Sequence, residues 1–590
     1  MTKRFLLTLI LLAAILISAV ACAPTQTPQQ DDSTSDTPFE SASPESSTET
    51  QPPETEAQND KFVLYENGKW SFRIVTRAIR SKEEVNFSAS LMTAMSDLTG
   101  SAPHSANDTA LKGDDVCEIV IGYTKHSQAR SLYSTLGYGD AEVKFVGNKL
   151  VIAAYTESGY TALLKHLTSV LKANYKNGTI ALSVSDVEKT VTLDEKLNLI
   201  PIVDTGTFSC ISSCGYDQTI IIINDSNVSD FDTYIKKLAA FRCASDVRQS
   251  GNASATFDFN EHILNVSFSK HDNSIRLILN KNAEPTELFN KSEKTEKVCE
   301  PMLIMHGLAW RQAGYTYYGY GMCYLLRLSD GRFIVIDGGF NRKKDADDLY
   351  ALLTKYTPKG TTPTIALWII THAHVDHHGT FAFQFLNNYK NNATVENVMF
   401  NPPGGGILTA PANETVTGLM NGHITLNNAI KRYGAKNIRS HVGDKYYVGD
   451  AVIDVLYTVD YQYPKQFNYY NTSSMILSIT LGGQRIMFTG DASNEAFDKV
   501  VKMYGADLRS DILQPAHHGG NTGVDSNSAT AVAEGYKLMS PSVVIWPASD
   551  ESYASAKKSM FNKALLNLAT IKEVVVAGDR DFAVTLPYNP

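Results

Sequence analysis

Cysteine is sparse, seven among 590 residues, and no pair has the C-x-x-C spacing. That leaves no basis for a thiolate zinc site or a thioredoxin-type redox motif. Nothing resembles a glycine-rich dinucleotide loop or a flavin site, which argues against hydride or redox chemistry. An excess of positive charge is also missing. The net charge is −9, so the chain gains nothing from non-specific attraction to phosphate backbones, and no specific nucleic-acid reader is expected. The hydrophobic content of 43% and charged content of 19% are those of a globular protein with sizeable cores. The length predicts several domains, at about 150 residues each.

The N-terminus carries a targeting pattern. Lys3 and Arg4 precede an almost unbroken apolar run over residues 5–20, which ends in Ala19-Val20-Ala21-Cys22. A charged start, an apolar stretch and small residues at its end are what a signal peptide needs. The tetrapeptide resembles a bacterial lipobox, although leucine is commoner where Ala19 stands. Residues 1–22 are therefore expected to be a lipoprotein-type signal peptide, with Cys22 the lipid-modified anchor to the membrane. An ordinary secreted protein and an uncleaved anchor are the alternatives, and all three place the rest of the chain outside the cytoplasm. Residues 23–60 are rich in Pro, Thr, Ser, Gln, Asp and Glu and nearly free of large apolar side chains. Such a segment cannot bury enough surface to offset its ordering entropy and reads as a disordered tether. In that oxidising setting Cys210 and Cys214 are near enough in sequence to pair. Cys117, Cys243, Cys299 and Cys323 read as small buried hydrophobes.

Residues 61–197 read as a small α/β domain, with strands at 118–122 and 149–154 and helices at 88–98 and 158–172. The strand–hairpin–helix run resembles the small α/β domain placed before the catalytic domain of several extracellular carbohydrate-active enzymes. That resemblance implies an accessory role near glycans; a spacer without a ligand is the alternative. Residues 198–300 read as a small α+β domain, with a strand at 219–224, an amphipathic helix at 230–244 and antiparallel strands at 253–258, 262–269 and 274–279. Asp272-Asn273 supplies a hairpin turn. His262 and His271 read as structural or solvent-facing.

Chemistry concentrates in residues 301–590. Two strands flank an Asp330-Gly331 turn, a strong hairpin signal, and lead to Asp337. An apolar strand at 364–370 then runs into Thr371-His372-Ala373-His374-Val375-Asp376-His377-His378-Gly379. His372 and His374 share a face, because alternate residues of extended backbone do. Asp376 and His377 turn toward a second position, a geometry that serves two cations. Later come Thr489-Gly490-Asp491 after one strand and His517-His518-Gly519-Gly520 after another, so six of the fourteen histidines lie in two motifs.

This H-x-H-x-D-H pattern, with its supporting motifs in order, resembles the metallo-β-lactamase family over about half of the chain. The resemblance implies an αββα sandwich and a dinuclear hydrolase. His372 and His374 would ligate the first metal, Asp376, His377 and His518 the second, and Asp491 would bridge. Asp376 and His517 are the candidate catalytic residues, with His517 the alternative to His518 as ligand. Asp337 would orient a ligating imidazole through its free N–H, and His378 would orient or start a helix. The family carries a further histidine before the Asp491 strand, but none occurs between Val442 and Ala516. Asn471 and Ser474 stand near the expected place, with His423 and His441 too early in sequence. That departure resembles the subgroup containing the competence DNA-uptake protein's extracellular domain and the phosphorylcholine esterases.

The expected cofactors are two divalent metal ions, zinc first and manganese second, since every ligand is N or O. A water shared between them would lose its proton near neutral pH and attack. The substrate class expected is a phosphodiester, small or polymeric, including envelope glycopolymers. Rivals are an extracellular nuclease and a non-catalytic binding lipoprotein with a decayed site. Aromatic residues at 315–320 and 461–470 would stack substrate or pack internally, and residues 402–406 form a lid or an ordinary loop.

Overall fold

A computed structural model describes residues 61–590 apart from 111, 114–115, 282, 284–285, 292–295, 309, 312–317, 320, 410–414 and 525–527, and apart from the side chains at 310–311 and 318–319. The expectations for the signal peptide, Cys22, the tether and the aromatic stretch at 315–320 lie outside the described residues.

Beside a four-stranded sheet that starts with Lys61–Glu66, residues 61–197 form a six-stranded sheet. Its order is Lys189–Thr192, Asp140–Val146, Lys149–Ala154, Glu118–Ile121, Arg73–Thr76, Ser105–Asn107. Helices Lys82–Thr99 and Glu157–Asn174 bury Phe87, Leu91, Leu163 and Leu167 against one face. Glu118–Ile121 is buried at all four positions, as a parallel strand covered on both sides must be. The next sheet is antiparallel throughout, in the order Thr207–Gly215, Gln218–Asn224, Ser274–Asn280, His262–Ser269, Asn252–Phe259, Arg242–Gln249.

Three expectations fail here, the first being burial of the scattered cysteines: Cys323 is buried, but Cys117 and Cys299 are half-buried and Cys243 is exposed. The helix predicted over 230–244 spans Val228–Lys237, and the chain re-extends as the edge strand Arg242–Gln249. The apolar residues Ala239, Ala240 and Phe241 continued the helical pattern, but pairing with Asn252–Phe259 claims the segment beyond them. Cys210 and Cys214 are both free thiols. They lie four residues apart on one strand, which separates their Cα atoms by about 13 Å. A disulfide spans only about 4.4–6.8 Å.

The C-terminal half is an αββα sandwich. One sheet contains Met302–Met305, Cys323–Arg327, Phe333–Asp337, Thr364–Ile369 and Asn397–Met399; the other contains Ala451–Tyr457, Ile476–Leu481, Gln484–Phe488, Ile512–Gln514 and Val543–Trp546. Their inner faces share one core, with Leu326, Ile336 and Leu367 meeting Ile453, Ile479 and Phe488. Outer faces are covered by helices: Lys343–Tyr356 and Val416–Tyr433 on the first sheet, Asn494–Tyr504 and Thr530–Met539 on the second. Thr364–Ile369 is parallel to Phe333–Asp337, and Gln484–Phe488 is parallel to Ile512–Gln514. The carboxyl ends of these strands lie at one rim, and every histidine and aspartate of the two motifs leaves from there.

Candidate metal centre

The strand Thr364–Ile369 ends where residues 371–374 run without regular structure into the short helix Val375–Gly379. Its first turn presents Asp376 and His377 while the extended residues before it present His372 and His374. Opposite, Gly490 takes φ +52°, a left-handed conformation that favours glycine. A Cβ there would lie 3.1 Å from Thr371 and 3.4 Å from Ser474, so the turn brings Asp491 close beneath the histidine loop. Gln514 Oε1 accepts from the backbone N–H groups of Thr489 and Gly490, at 2.8 Å each, and holds the turn. His517 and His518 are both left-handed, at φ +49° and +52°. Such strain in bulky residues clusters at functional sites.

The side chains converge in two sets around one carboxylate. Asp376, His377, Asp491 and His518 place one donor atom each within 4.8 Å of one another, and His372, His374 and Asp491 do the same. His377 Nε2 is 3.1 Å from Asp491 Oδ2, and His518 Nε2 is 3.6 Å from Asp491 Oδ1 and 3.5 Å from Asp376 Oδ2. His372 Nε2 is 3.9 Å from Asp491 Oδ2 and 3.0 Å from His374 Nδ1. His377 Nε2 and Asp491 Oδ1 are buried without a hydrogen-bond partner among the described residues. Buried lone-pair atoms left unmatched at 3–4 Å are costly alone and are what a shared cation satisfies. The donor set therefore fits divalent cations: His372, His374 and Asp491 would hold one, and Asp376, His377, His518 and Asp491 another.

Outer contacts fix the rings. Asp337 is fully buried, and its Oδ2 accepts from His377 Nδ1 at 2.7 Å. Thr371 donates to the same carboxylate from its backbone N–H and its hydroxyl, each at 2.8 Å. Pro547 O accepts from His518 Nδ1 at 3.0 Å, and Trp546 Nε1 donates to His518 O at 2.8 Å. Both Nδ1 protons are thereby assigned, which leaves both Nε2 atoms as ligands.

Charge is tightly balanced. Burial opposes a charge on His377, yet Asp491, Asp337 and Asp376 together push its imidazole well above the usual range. Burial also opposes a charge on Asp491, but His377, His518 and His517 hold its carboxyl well below the usual carboxylate range. His372 is pushed well down by burial, with His377 and His374 adding to it. His378, buried on the short helix, is pushed down to about 4 by burial.

His517 is half-buried at 29% side-chain exposure, with Nε2 3.6 Å from Asp491 Oδ2. Its Nδ1 is bonded to Asn521 O and lies 3.3 Å from the Tyr469 hydroxyl. Asn471 and Ser474 are buried, and Asn471 Oδ1 and Ser474 Oγ have no partner among the described residues. Met475 N donates to Thr371 O at 3.1 Å, which ties their segment to the histidine loop. The two other histidines considered for the missing position are occupied elsewhere. His441 lies 2.8 Å from Asp460 and 3.0 Å from Asn280, and His423 is hydrogen-bonded to Tyr470. Of the aromatic stretch at 461–470, Tyr461 and Tyr463 are buried in packing while Tyr469 and Tyr470 reach the motif histidines. The sequence gives no separate role to Thr371 or Gln514. Their place immediately beside motif residues, or on a motif strand, was the signal available.

No protein-family model matches the chain. Over 70 residues it is 33% identical to the competence protein ComA of Neisseria gonorrhoeae, covering 12% of this chain and 10% of that protein. The chain thus spans about a tenth of the length of the curated relative it matches. Among solved structures, YhfI from Bacillus subtilis, a metallo-beta-lactamase fold protein, is 14% identical with a TM-score of 0.31, covering 48% of this chain and 100% of YhfI. CmlA, a diiron beta-hydroxylase from Streptomyces venezuelae, is 14% identical with a TM-score of 0.29, covering 49% and 54%. What the site does chemically rests on its own side chains.

Proposed function

We propose that this chain is a membrane-tethered, metal-dependent hydrolase that cleaves phosphodiesters outside the cytoplasm. The observation that carries this is the meeting of His372, His374, Asp376, His377, Asp491 and His518 around a common space. His372, His374 and Asp491 would hold one cation; Asp376, His377, His518 and Asp491 would hold the other. When bound, divalent cations supply Lewis acidity and lower the pKa of water to about 7. Zinc suits this imidazole and carboxylate set, with manganese as the alternative.

The chain's own groups do the rest. Asp337 and Pro547 O keep the His377 and His518 protons on Nδ1, and so keep Nε2 available. The two ligand sets hold only two carboxylates, Asp376 and Asp491, so two divalent cations would leave a positive site that suits an anionic diester. His517, open to solvent beside Asp491, stands where it can hold a proton for a departing oxygen. Lys3, Arg4, the apolar run and Cys22 support the tether.

The test is hydrolysis of bis-p-nitrophenyl phosphate, phosphorylcholine esters and single-stranded DNA, with and without chelator, alongside metal content per chain. Chelator-sensitive cleavage of the diesters with about two metal equivalents is expected. Asp491→Ala should abolish it and lower bound metal. Cleavage of DNA alone transfers the activity to a nuclease. A metal content of zero or one in the wild-type chain overturns the dinuclear centre.

A further inference from the structure

The antiparallel sheet of residues 207–280 contributes no motif residue, yet the tip of its first hairpin packs on His423, two side chains behind His374. Strands Thr207–Gly215 and Gln218–Asn224 pair Gly215 with Gln218 across a two-residue turn, Tyr216-Asp217. Both turn residues are left-handed, at φ +53° and +63°. Asn and Gly fill such turns cheaply, whereas a tyrosine there is uncommon and costs about 1–2 kcal/mol. The strained ring is well used. It sits 5.9 Å from the imidazole of His423, edge to face, and the Arg439 guanidinium lies 5.0 Å from its centre.

His423, buried on the helix Val416–Tyr433, shares a hydrogen bond with the Tyr470 hydroxyl. The Tyr470 ring then packs 5.0 Å from His374 and 6.1 Å from His372. A second link runs through backbone. A Cβ at Gly404 would lie 2.6 Å from Cys214 C and O, and one at Gly215 would lie 3.0 Å from Gly404 Cα. Gly404 N–H donates to the Tyr463 hydroxyl at 3.0 Å, on the segment that leads to Tyr470.

We infer that the hairpin tip at Tyr216 braces the metal centre: Tyr216 wedges His423, and His423 holds Tyr470 against His374. Tyr216, His423 and Tyr470 are positioning residues for the first metal position, the one without a fourth motif ligand. This rests on the metal-centre assignment above. It makes the antiparallel sheet of residues 207–280 part of the hydrolase.

The experiment titrates zinc and cobalt(II) into metal-free full-length chain, following affinity by competition and ligand geometry by the cobalt visible spectrum. Tyr216→Ala should weaken the more weakly held equivalent about tenfold, the lower end for loss of an outer support, and should alter its cobalt spectrum. Tyr216→Phe keeps the ring, and the Tyr216 hydroxyl has no partner among the described residues, so it should recover wild-type binding. Leu264→Ala opens a cavity on the opposite face of the same sheet. It should lower the melting temperature without moving either metal constant. If the wild-type chain binds no metal, the centre itself is misassigned. Two equivalents in the wild type with unchanged constants and spectrum in Tyr216→Ala, or a loss that Leu264→Ala reproduces, would overturn the brace alone.

Discussion

Asp337→Asn removes one charge and no volume from the interior of the site. The carboxylate accepts three hydrogen bonds: Thr371 N–H on Oδ1, and the Thr371 hydroxyl and His377 Nδ1–H on Oδ2. An asparagine must place its NH2 at one of those positions. At the Oδ1 position it faces a backbone N–H that cannot turn away, which leaves buried donors opposed at a cost of about 1–3 kcal/mol. At the Oδ2 position the Thr371 hydroxyl can rotate to accept, but His377 must move its proton to Nε2. That is the atom 3.1 Å from Asp491 Oδ2, and a protonated Nε2 cannot ligate. Either orientation should weaken the second cation about 10–100-fold, which is about 1.4–2.8 kcal/mol. Competition titration against a chromophoric chelator reads this directly. A thermal melt of the metal-free chain should fall by a few degrees, at about 2–4 °C per kcal/mol for a unit of this size. Wild-type zinc affinity in the asparagine variant would refute the proton assignment on His377.

Two more outcomes follow from the same structure. His518→Gln should lose one metal equivalent while His517→Gln keeps both and loses turnover. Metal analysis together with diester hydrolysis decides which adjacent imidazole is the ligand, and the reverse pattern would exchange their roles. In the first unit, Glu118→Gln strands the buried Lys149, whose Nζ lies 2.9 Å from Glu118, and should destabilise by about 3–5 kcal/mol. Burial raises the Glu118 carboxyl, but its bonds to Lys149, Arg73 and His126 outweigh that and hold it below the ordinary value. Its contribution is therefore present above the unfolded carboxyl pKa of about 4.3 and is lost as pH falls through the folded value. Chemical denaturation between pH 3 and 7 should show that slope in the wild type and its absence in the variant.

The strands that carry the site were legible because their patterns are local. Residues 364–370 form an unbroken apolar run, the signature of a strand buried on both faces, and the Asp330-Gly331 turn announces its hairpin. The helix over 230–244 was overread because Ala239, Ala240 and Phe241 satisfy a helical period that pairing with Asn252–Phe259 overrides. The Cys210–Cys214 pairing failed because spacing in sequence says nothing about a strand's rise per residue.

By itself the sequence determined the donor types, their order and their attachment to strand ends. Oxygen and nitrogen ligands are what its two motifs offer. Only the tertiary structure decided that Asp491 and His518 from one sheet meet His372, His374, Asp376 and His377 from the other, that Asp337 bonds His377, and that His441 and His423 serve Asp460 and Tyr470. It alone brought Tyr216, more than 150 residues upstream of His374, behind that imidazole. Local patterns specify which face of a strand or helix is apolar. Which distant faces then meet is settled by burying those surfaces together, and that depends on the whole chain at once.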